Sequence, residues 1–214
     1  MVHQCLYTPV PVDAEQPDLW SEDPLILADA VWAPCYFTGW TAANHWGLTE
    51  QIFQTTVVRT GSRVRRTHDS LLEHQYLLSH AGADKFKWGL RKVWRQEYAV
   101  QMADPARTVI DSLAYPRLGG GIRHVAEILM AYLAENEAER LVEYGDRLGN
   151  RTVFKRLGYL VSICDPGEEA LLRAAHQRLP SGLTPLDPSV PRQGGYDRAW
   201  GLRINVHVEP YSTS

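Results

Sequence analysis

The dipeptide Asp104-Pro105 divides this chain into two halves of different periodicity. An aspartate accepts hydrogen bonds from the unpaired N–H groups of a first helical turn. A proline fits the first helical position because its missing N–H is not needed there. A helix therefore starts at residue 105. Upstream the pattern favours strands: the β-branched run Thr55-Thr56-Val57-Val58, residues 74–80, and residues 91–102 as a hairpin around Gln96, with Val93, Tyr98, Val100 and Met102 packing. Two short helices are expected there as well, one over 22–32 capped by Ser21 and one opening at Thr38 or Thr41 and stopping at Gly47, with Tyr36-Phe37 extended between them. Downstream the period is helical: 105–114, 122–136 with Val125, Ile128, Leu129 and Tyr132 in register, 139–148 closed by Gly149, 151–162 capped by Asn150, and 167–179 ended by Pro180. Leu202, Ile204, Val206 and Val208 alternate with polar residues, the period of a half-buried strand. The expected fold is α+β: a small mixed β-sheet region, a helical C-terminal half, and a last strand returning to the sheet. The expected organisation is an extended lead-in over 1–20, one domain over 21–208 and a tail over 209–214.

The 214 residues are enough for one full-sized core. No apolar run approaches the roughly 20 residues that span a bilayer. The N-terminus lacks a basic start followed by an apolar stretch, so it does not read as a secretion signal. Cys5, Cys35 and Cys164 are odd in number and far apart, as in a reducing cytoplasm. The formal net charge of −3 conceals an asymmetry. Residues 1–58 carry seven acidic side chains and no Lys or Arg, whereas residues 59–95 carry nine basic and three acidic ones. A basic block inside an acidic chain implies a local anionic partner, or pairing with the acidic N-terminal segment.

The candidates for anion or nucleic-acid contact are Arg63, Arg65, Arg66, Lys85, Lys87, Arg91, Lys92 and Arg95, the last five interleaved with Phe86, Trp88 and Trp94. Basic side chains hold phosphates and aromatic rings stack on bases; the competing reading is a solvated loop face. Glu97, Asp104 and Asp111 would serve a metal-dependent nuclease only if they converged on one pocket. Asp104 already reads as a helix cap, and Arg107 as a structural partner for a carboxylate on its own helix. His68, His74 and His80 recur every six residues without a third donor at ligand spacing. Gly119-Gly120-Gly121 reads as a turn before a helix rather than an anion cradle. No phosphate-binding Gly-rich loop and no nucleophile motif occurs, so no catalytic residue, metal or cofactor is expected.

Taken in order, five segments resemble the C-terminal domain of the AbiEi family, the antitoxins of bacterial type IV toxin–antitoxin systems. They are Trp40-Thr41-Ala42-Ala43-Asn44-His45-Trp46-Gly47-Leu48 continuing into Thr49-Glu50-Gln51, Asp104-Pro105-Ala106-Arg107-Thr108-Val109-Ile110-Asp111, Lys155-Arg156-Leu157-Gly158-Tyr159-Leu160, Pro185-Leu186-Asp187-Pro188, and Trp200-Gly201-Leu202-Arg203-Ile204-Asn205-Val206. The resemblance spans residues 23–208. It implies a non-catalytic antitoxin and transcriptional regulator for abortive infection and phage defence. It further implies a nucleotidyltransferase toxin as functional partner, not held in a stable complex. Members of the family carry an N-terminal winged helix that binds promoter DNA. This sequence shows no such segment; Leu6-Tyr7-Thr8-Pro9 reads as the remnant of a final wing strand. DNA binding by this chain is therefore expected to be weak. The alternatives are a metal-dependent nucleic-acid-processing enzyme and a protein-interaction module built on exposed tryptophans.

Overall fold

The computed structural model describes residues 23–209. Its first half holds α1 (Pro24–Trp32), β1 (Cys35–Phe37), α2 (Gly39–His45), β2 (Thr55–Thr60), β3 (His68–Leu71), β4 (His74–His80), β5 (Leu90–Arg95) and β6 (Tyr98–Ala103). The six strands form one mixed sheet in the order β3-β4-β2-β1-β6-β5. β1 is only three residues long, yet it sits inside the sheet, antiparallel to β2 and parallel to β6, and all three residues are buried. Side chains alternate across a strand, so β1 addresses both faces. The Cys35 thiol points to the Ala28 carbonyl on α1, while the Tyr36 hydroxyl points to the opposite face and the helical half. On that second face Val57 of β2 and Leu77 of β4 pack on Leu118.

The helical half follows as α3 (Pro105–Ala114), α4 (Ile122–Glu135), α5 (Glu139–Leu148), α6 (Thr152–Cys164) and α7 (Glu169–His176). α3 is its central element: every residue from Ala106 to Ala114 is buried. Val109, Ile110 and Leu113 of α3 join Val125, Ile128 and Leu129 of α4, Leu141 of α5, and Phe154, Leu157 and Leu160 of α6 in one core. The caps follow the sequence. Asp104 accepts from the Arg107 amide at 2.8 Å, Gly149 closes α5 with φ of 76°, and the Asn150 side chain accepts from the Thr152 amide at 3.3 Å.

Several expectations are corrected. The α1 cap is Asp23, whose carboxylate accepts from the Leu25 amide at 2.8 Å, because Pro24 sets the first helical position one residue after it; Ser21 lies outside the described residues. β3 was not expected, since His68-Asp69-Ser70-Leu71 has no apolar alternation; it forms because a two-residue turn at Leu72-Glu73 folds it back on β4. α7 is shorter than expected. The largest difference is the last strand. β9 (Leu202–Ile204) does not return to the six-stranded sheet. It pairs parallel to β7 (Thr184–Pro185) and antiparallel to β8 (Gly195–Asp197) in a separate three-stranded sheet. Leu202 and the neighbouring Trp200 are buried in the helical core, where the apolar side chains of 200–208 find their partners.

Trp200 fills the space that Gly158 leaves on α6. A Cβ at Gly158 would stand 2.0 Å from the indole ring. Gly158→Ala should therefore destabilise by overpacking, about 1–3 kcal/mol, read as a lowered urea midpoint. Restoration of the midpoint by adding Trp200→Leu would identify the clash as the cause.

Candidate functional site

The segment Asp104 to Asp111 holds the chemistry that the sequence offered for catalysis, and the fold uses it for structure. One Asp104 carboxylate oxygen caps α3; the other accepts from the Tyr144 hydroxyl at 2.9 Å. Asp111, about two turns further along the helix, is fully buried. Its Oδ2 accepts from the Tyr36 hydroxyl at 3.0 Å and the Thr38 hydroxyl at 3.1 Å. Its Oδ1 accepts from Arg107 Nε at 3.0 Å and Arg59 Nη1 at 3.3 Å. Arg107 Nη2 donates onward to the Tyr36 oxygen at 3.0 Å, and Arg59 Nη2 to the His80 carbonyl at 3.0 Å. The guanidinium of Arg107 lies 3.5 Å from the Trp88 ring centroid and that of Arg59 4.7 Å from that of Tyr115. Burial, reinforced by the adjacent Asp111 carboxylate, holds the Tyr36 hydroxyl well above the ordinary tyrosine range, so it stays a donor.

Four donors use the acceptor capacity of Asp111, and Asp104 is committed twice. Glu97 sits exposed in the β5–β6 turn. The three carboxylates therefore do not converge on a pocket. Among the described residues no group of three or more His, Cys, Asp or Glu side chains is placed to hold a metal ion. The sequence identified Arg107 as a carboxylate partner but missed Arg59 and Tyr36. The available signal was a charged residue inside the β-branched run of β2.

A second polar cluster ties the helices to the small sheet. Arg156, buried on α6, donates from Nε to the Leu186 carbonyl at 2.8 Å, from Nη1 to the Leu113 carbonyl at 2.8 Å and the Ala114 carbonyl at 3.3 Å, and from Nη2 to the Pro185 carbonyl at 3.2 Å. The last carbonyls of a helix have no intrahelical donor, and Arg156 supplies one to the end of α3. Burial pulls its guanidinium down to about 10. Asp187 accepts from the Ile122 amide at 2.9 Å and so occupies the N-terminus of α4. The Gly120-Gly121 turn before that helix, with φ of 85° and 95°, gives its own amides to the Pro116 carbonyl, and the next amide, that of Ile122, meets the Asp187 carboxylate of this chain.

The basic residues do not form one patch. Arg63, Arg65 and Arg66 are exposed in the β2–β3 connection. Lys85 is bound to Asp84 at 2.7 Å and to the Leu148 carbonyl at 2.9 Å, and Arg95 to Asp23 at 2.7 Å. Lys87, Arg91 and Lys92 are exposed, Arg91 with its guanidinium 5.5 Å from the Trp46 ring centroid. In the sheet order, β1 and β6 separate β2 from the β5 edge. Arg91 and Lys92 on β5 are thus parted from the β2–β3 connection by two strands, while Phe86, between Lys85 and Lys87, lies beside Gly61 at the start of that connection.

A groove of about 930 Å³ opens between residues 47–51, α4 and residues 207–209. Its wall is held by Thr49 and His124 at 2.7 Å and by Gln51 donating to Glu127 at 3.0 Å. Its charge is mixed, with Arg123, Glu50, Glu127 and Glu209 all in the lining. Sequence reading did not find this groove, although Gly47-Leu48-Thr49-Glu50-Gln51, one of the segments behind the resemblance, lines it.

No protein-family model matches this chain, and no curated protein does. Among solved structures it is similar to the RV2827C protein of Mycobacterium tuberculosis, with a TM-score of 0.56 and 15% sequence identity over 83% of this chain and 64% of that one. At that identity the likeness shows a shared fold. The chain spans less than two thirds of the length of the protein it matches.

Two outcomes follow from the buried network. Asp111→Asn leaves two guanidinium groups without a buried anion and should cost about 3–5 kcal/mol in urea unfolding. Asp104→Asn keeps a capping oxygen and should cost no more than about 1 kcal/mol. The second outcome concerns alkaline pH. Burial raises Tyr36 and Tyr76, and pushes Tyr132 up to about 12 from the ordinary 10.0. The unfolded chain loses these protons near pH 10 while the folded chain keeps them. Their contribution to stability is full below that value and is lost as pH rises through the folded values. Tyrosinate absorbance of the folded protein should rise only in part near pH 10, with the remainder appearing together with loss of the far-ultraviolet dichroism.

Proposed function

We propose that this chain is an antitoxin and regulatory module of the AbiEi type, from a bacterial type IV toxin–antitoxin system, acting in the cytoplasm without catalysis. The observation that carries the reading is spatial. The five segments behind the family resemblance, dispersed over the sequence, meet one another in the fold. Trp46 donates from its indole N–H to the Ala103 carbonyl beside Asp104 at 2.7 Å. Arg156 binds the end of α3 and the Pro185-Leu186 carbonyls. Trp200 packs on Gly158. Such a set is the framework of one module, which supports the resemblance more than isolated motif matches would. The commitment of Asp104 and Asp111 to a cap and an ion cluster favours a non-catalytic role over the nuclease alternative.

The partner in this reading is a nucleotidyltransferase toxin, countered in function rather than by a tight complex. DNA is a secondary partner, contacted through the exposed Arg63, Arg65 and Arg66 and through Lys87, Arg91 and Lys92. Phosphate contacts position a protein without reading sequence, and their strength falls with salt as counterions are released.

The test is growth rescue. The chain and a nucleotidyltransferase encoded beside it are expressed from separately inducible promoters. Restored growth is expected, with the Arg63→Ala/Arg65→Ala/Arg66→Ala variant rescuing as well as the parent. Continued arrest in the presence of folded, abundant chain would contradict the antitoxin reading. Fluorescence anisotropy should show weak duplex binding, equal for promoter and scrambled sequence, with a shallower salt dependence in the triple variant.

A further inference from the structure

The sequence interleaves basic residues with Phe86, Trp88 and Trp94, and the fold treats the three rings differently. Phe86 packs edge-on against Tyr36, and Trp88 is buried between the Arg107 guanidinium and the Tyr144 ring. Trp94, on β5, is 69% exposed. The other described tryptophans are committed: Trp32 to the Tyr76 ring, Trp40 and Trp46 to the Thr55 and Ala103 carbonyls, and Trp200 to the space beside Gly158. Trp94 makes no hydrogen bond and no ring contact among the described residues. A single exposed ring is ordinary on a protein surface; the neighbours of this one make it a site.

Successive side chains alternate across a strand, so Lys92 and Trp94 share one face of β5, about 7 Å apart. In the β5–β6 register Ala99 stands opposite Trp94, and Gln101 opposite Lys92. The Ala99 side chain is too small to cover an indole. Lys92 is exposed and makes no ion pair or hydrogen bond among the described residues. Neither β5 nor β6 carries an acidic residue. The nearby carboxylates are Glu97, in the turn at the far end of the hairpin, and Asp23, which is bound to Arg95 at 2.7 Å. Arg95 alternates to the opposite face from Trp94. One face of the hairpin therefore carries an open aromatic surface, a free ammonium beside it and an amide with both a donor and an acceptor.

We propose that this face binds single-stranded nucleic acid, with one base stacked on Trp94 and an adjacent phosphate on Lys92. Stacking on an aromatic side chain needs a base whose flat face is uncovered, which a single strand offers and a duplex does not. The positive charge of β5 complements the phosphates. A second copy of this chain fits less well, because antiparallel pairing of β5 with itself would set Arg91, Lys92 and Arg95 against the same three residues, and like charges across a pair destabilise it. The side chains flanking the indole on its own face are polar or small, so there is no contiguous apolar patch for a protein partner. Lys92 is shared with the duplex contacts proposed above, whereas Trp94 is not and so carries the test. The site does not depend on the antitoxin reading, which growth rescue tests separately.

The experiment is fluorescence anisotropy of the full chain with labelled oligo(dT) and oligo(U) of about ten nucleotides, within the usual span of a single-strand site, and with a duplex of the same length. Trp94→Leu keeps an apolar side chain and removes the aromatic face. It should weaken binding of the single strands about tenfold, the loss of one stacked base, and leave duplex binding unchanged. Lys92→Gln should make the salt dependence on single strands shallower by about 0.7, the share of one phosphate, whereas Trp94→Leu should not change it. Saturating oligonucleotide should quench part of the tryptophan emission of the parent and none of that of Trp94→Leu. Both side chains are exposed, so neither variant should shift the urea midpoint. The tighter of the two single strands identifies the sugar that this face takes. Equal single-strand affinity in the parent and Trp94→Leu, equal losses for single strand and duplex, quenching that persists in the variant, or no single-strand binding at low salt would each overturn the proposal.

Discussion

One buried carboxylate joins the two halves of this protein. Asp111 accepts from Tyr36 at the centre of the sheet, from Thr38 beyond it, from Arg59 on the next strand and from Arg107 one turn earlier on its own helix. Each donor comes from a different place in the topology, so the cluster forms only when β1, β2 and α3 are together. Two guanidinium groups share one carboxylate, which leaves an excess positive charge in the interior. The Trp88 and Tyr115 faces lie against the guanidinium groups and offset part of that cost. Arg59 Nε and Arg107 Nη1 have no hydrogen-bond partner among the described residues. Such a cluster adds little net stability over a well-packed apolar one, but it penalises any arrangement that separates its members. Its main contribution is a unique docking of helix on sheet.

The second hub depends on the first. α3 is fixed at its start by Asp104 and at Asp111 by the ion cluster, and its last carbonyls then meet Arg156. Arg156 in turn holds the carbonyls of residues 185 and 186, and the next residue, Asp187, sets the start of α4. The short sheet of β7, β8 and β9 is thereby an extension of the helical core. Lys155, buried beside Arg156, donates to the Gly182 and Gly201 carbonyls, which precede the parallel strands β7 and β9, and so anchors one end of that extension.

Much of this was legible in local pattern. The Asp104-Pro105 start, the Gly149 stop, the β5–β6 hairpin and the β2 strand follow from capping, turn and β-branched signals that need no tertiary information. The elements that escaped depend on distant contacts. β3 is polar and is a strand only because β4 offers an edge to it. The alternation of residues 202–208 is a strand only over Leu202–Ile204, with a bend at Val206, and periodicity does not say which sheet a strand joins; the indole of Trp200 against Gly158 decides that. The placing of β1 and β6 between the arginine loop and β5 was equally hidden, because charge counted along a sequence carries no strand order. Arg107 was legible because its partner lies four residues away on one helix, whereas Arg59 reaches Asp111 from 52 residues upstream.

The same network bears on function. Asp104 and Asp111, which look catalytic in sequence, are engaged in holding the fold, and the exposed features include the mixed-charge groove beside α4, the arginine loop and the β5 edge. The central claim is that Asp111 and Arg59 act as one unit across the sheet–helix junction. A double-mutant cycle with Arg59→Met and Asp111→Asn, read by equilibrium urea unfolding, tests it most directly. A coupling energy above about 1 kcal/mol, with the double variant more stable than the sum of the single losses, is the predicted result. Additivity within about 0.5 kcal/mol would contradict it and leave the two residues as independent contributors.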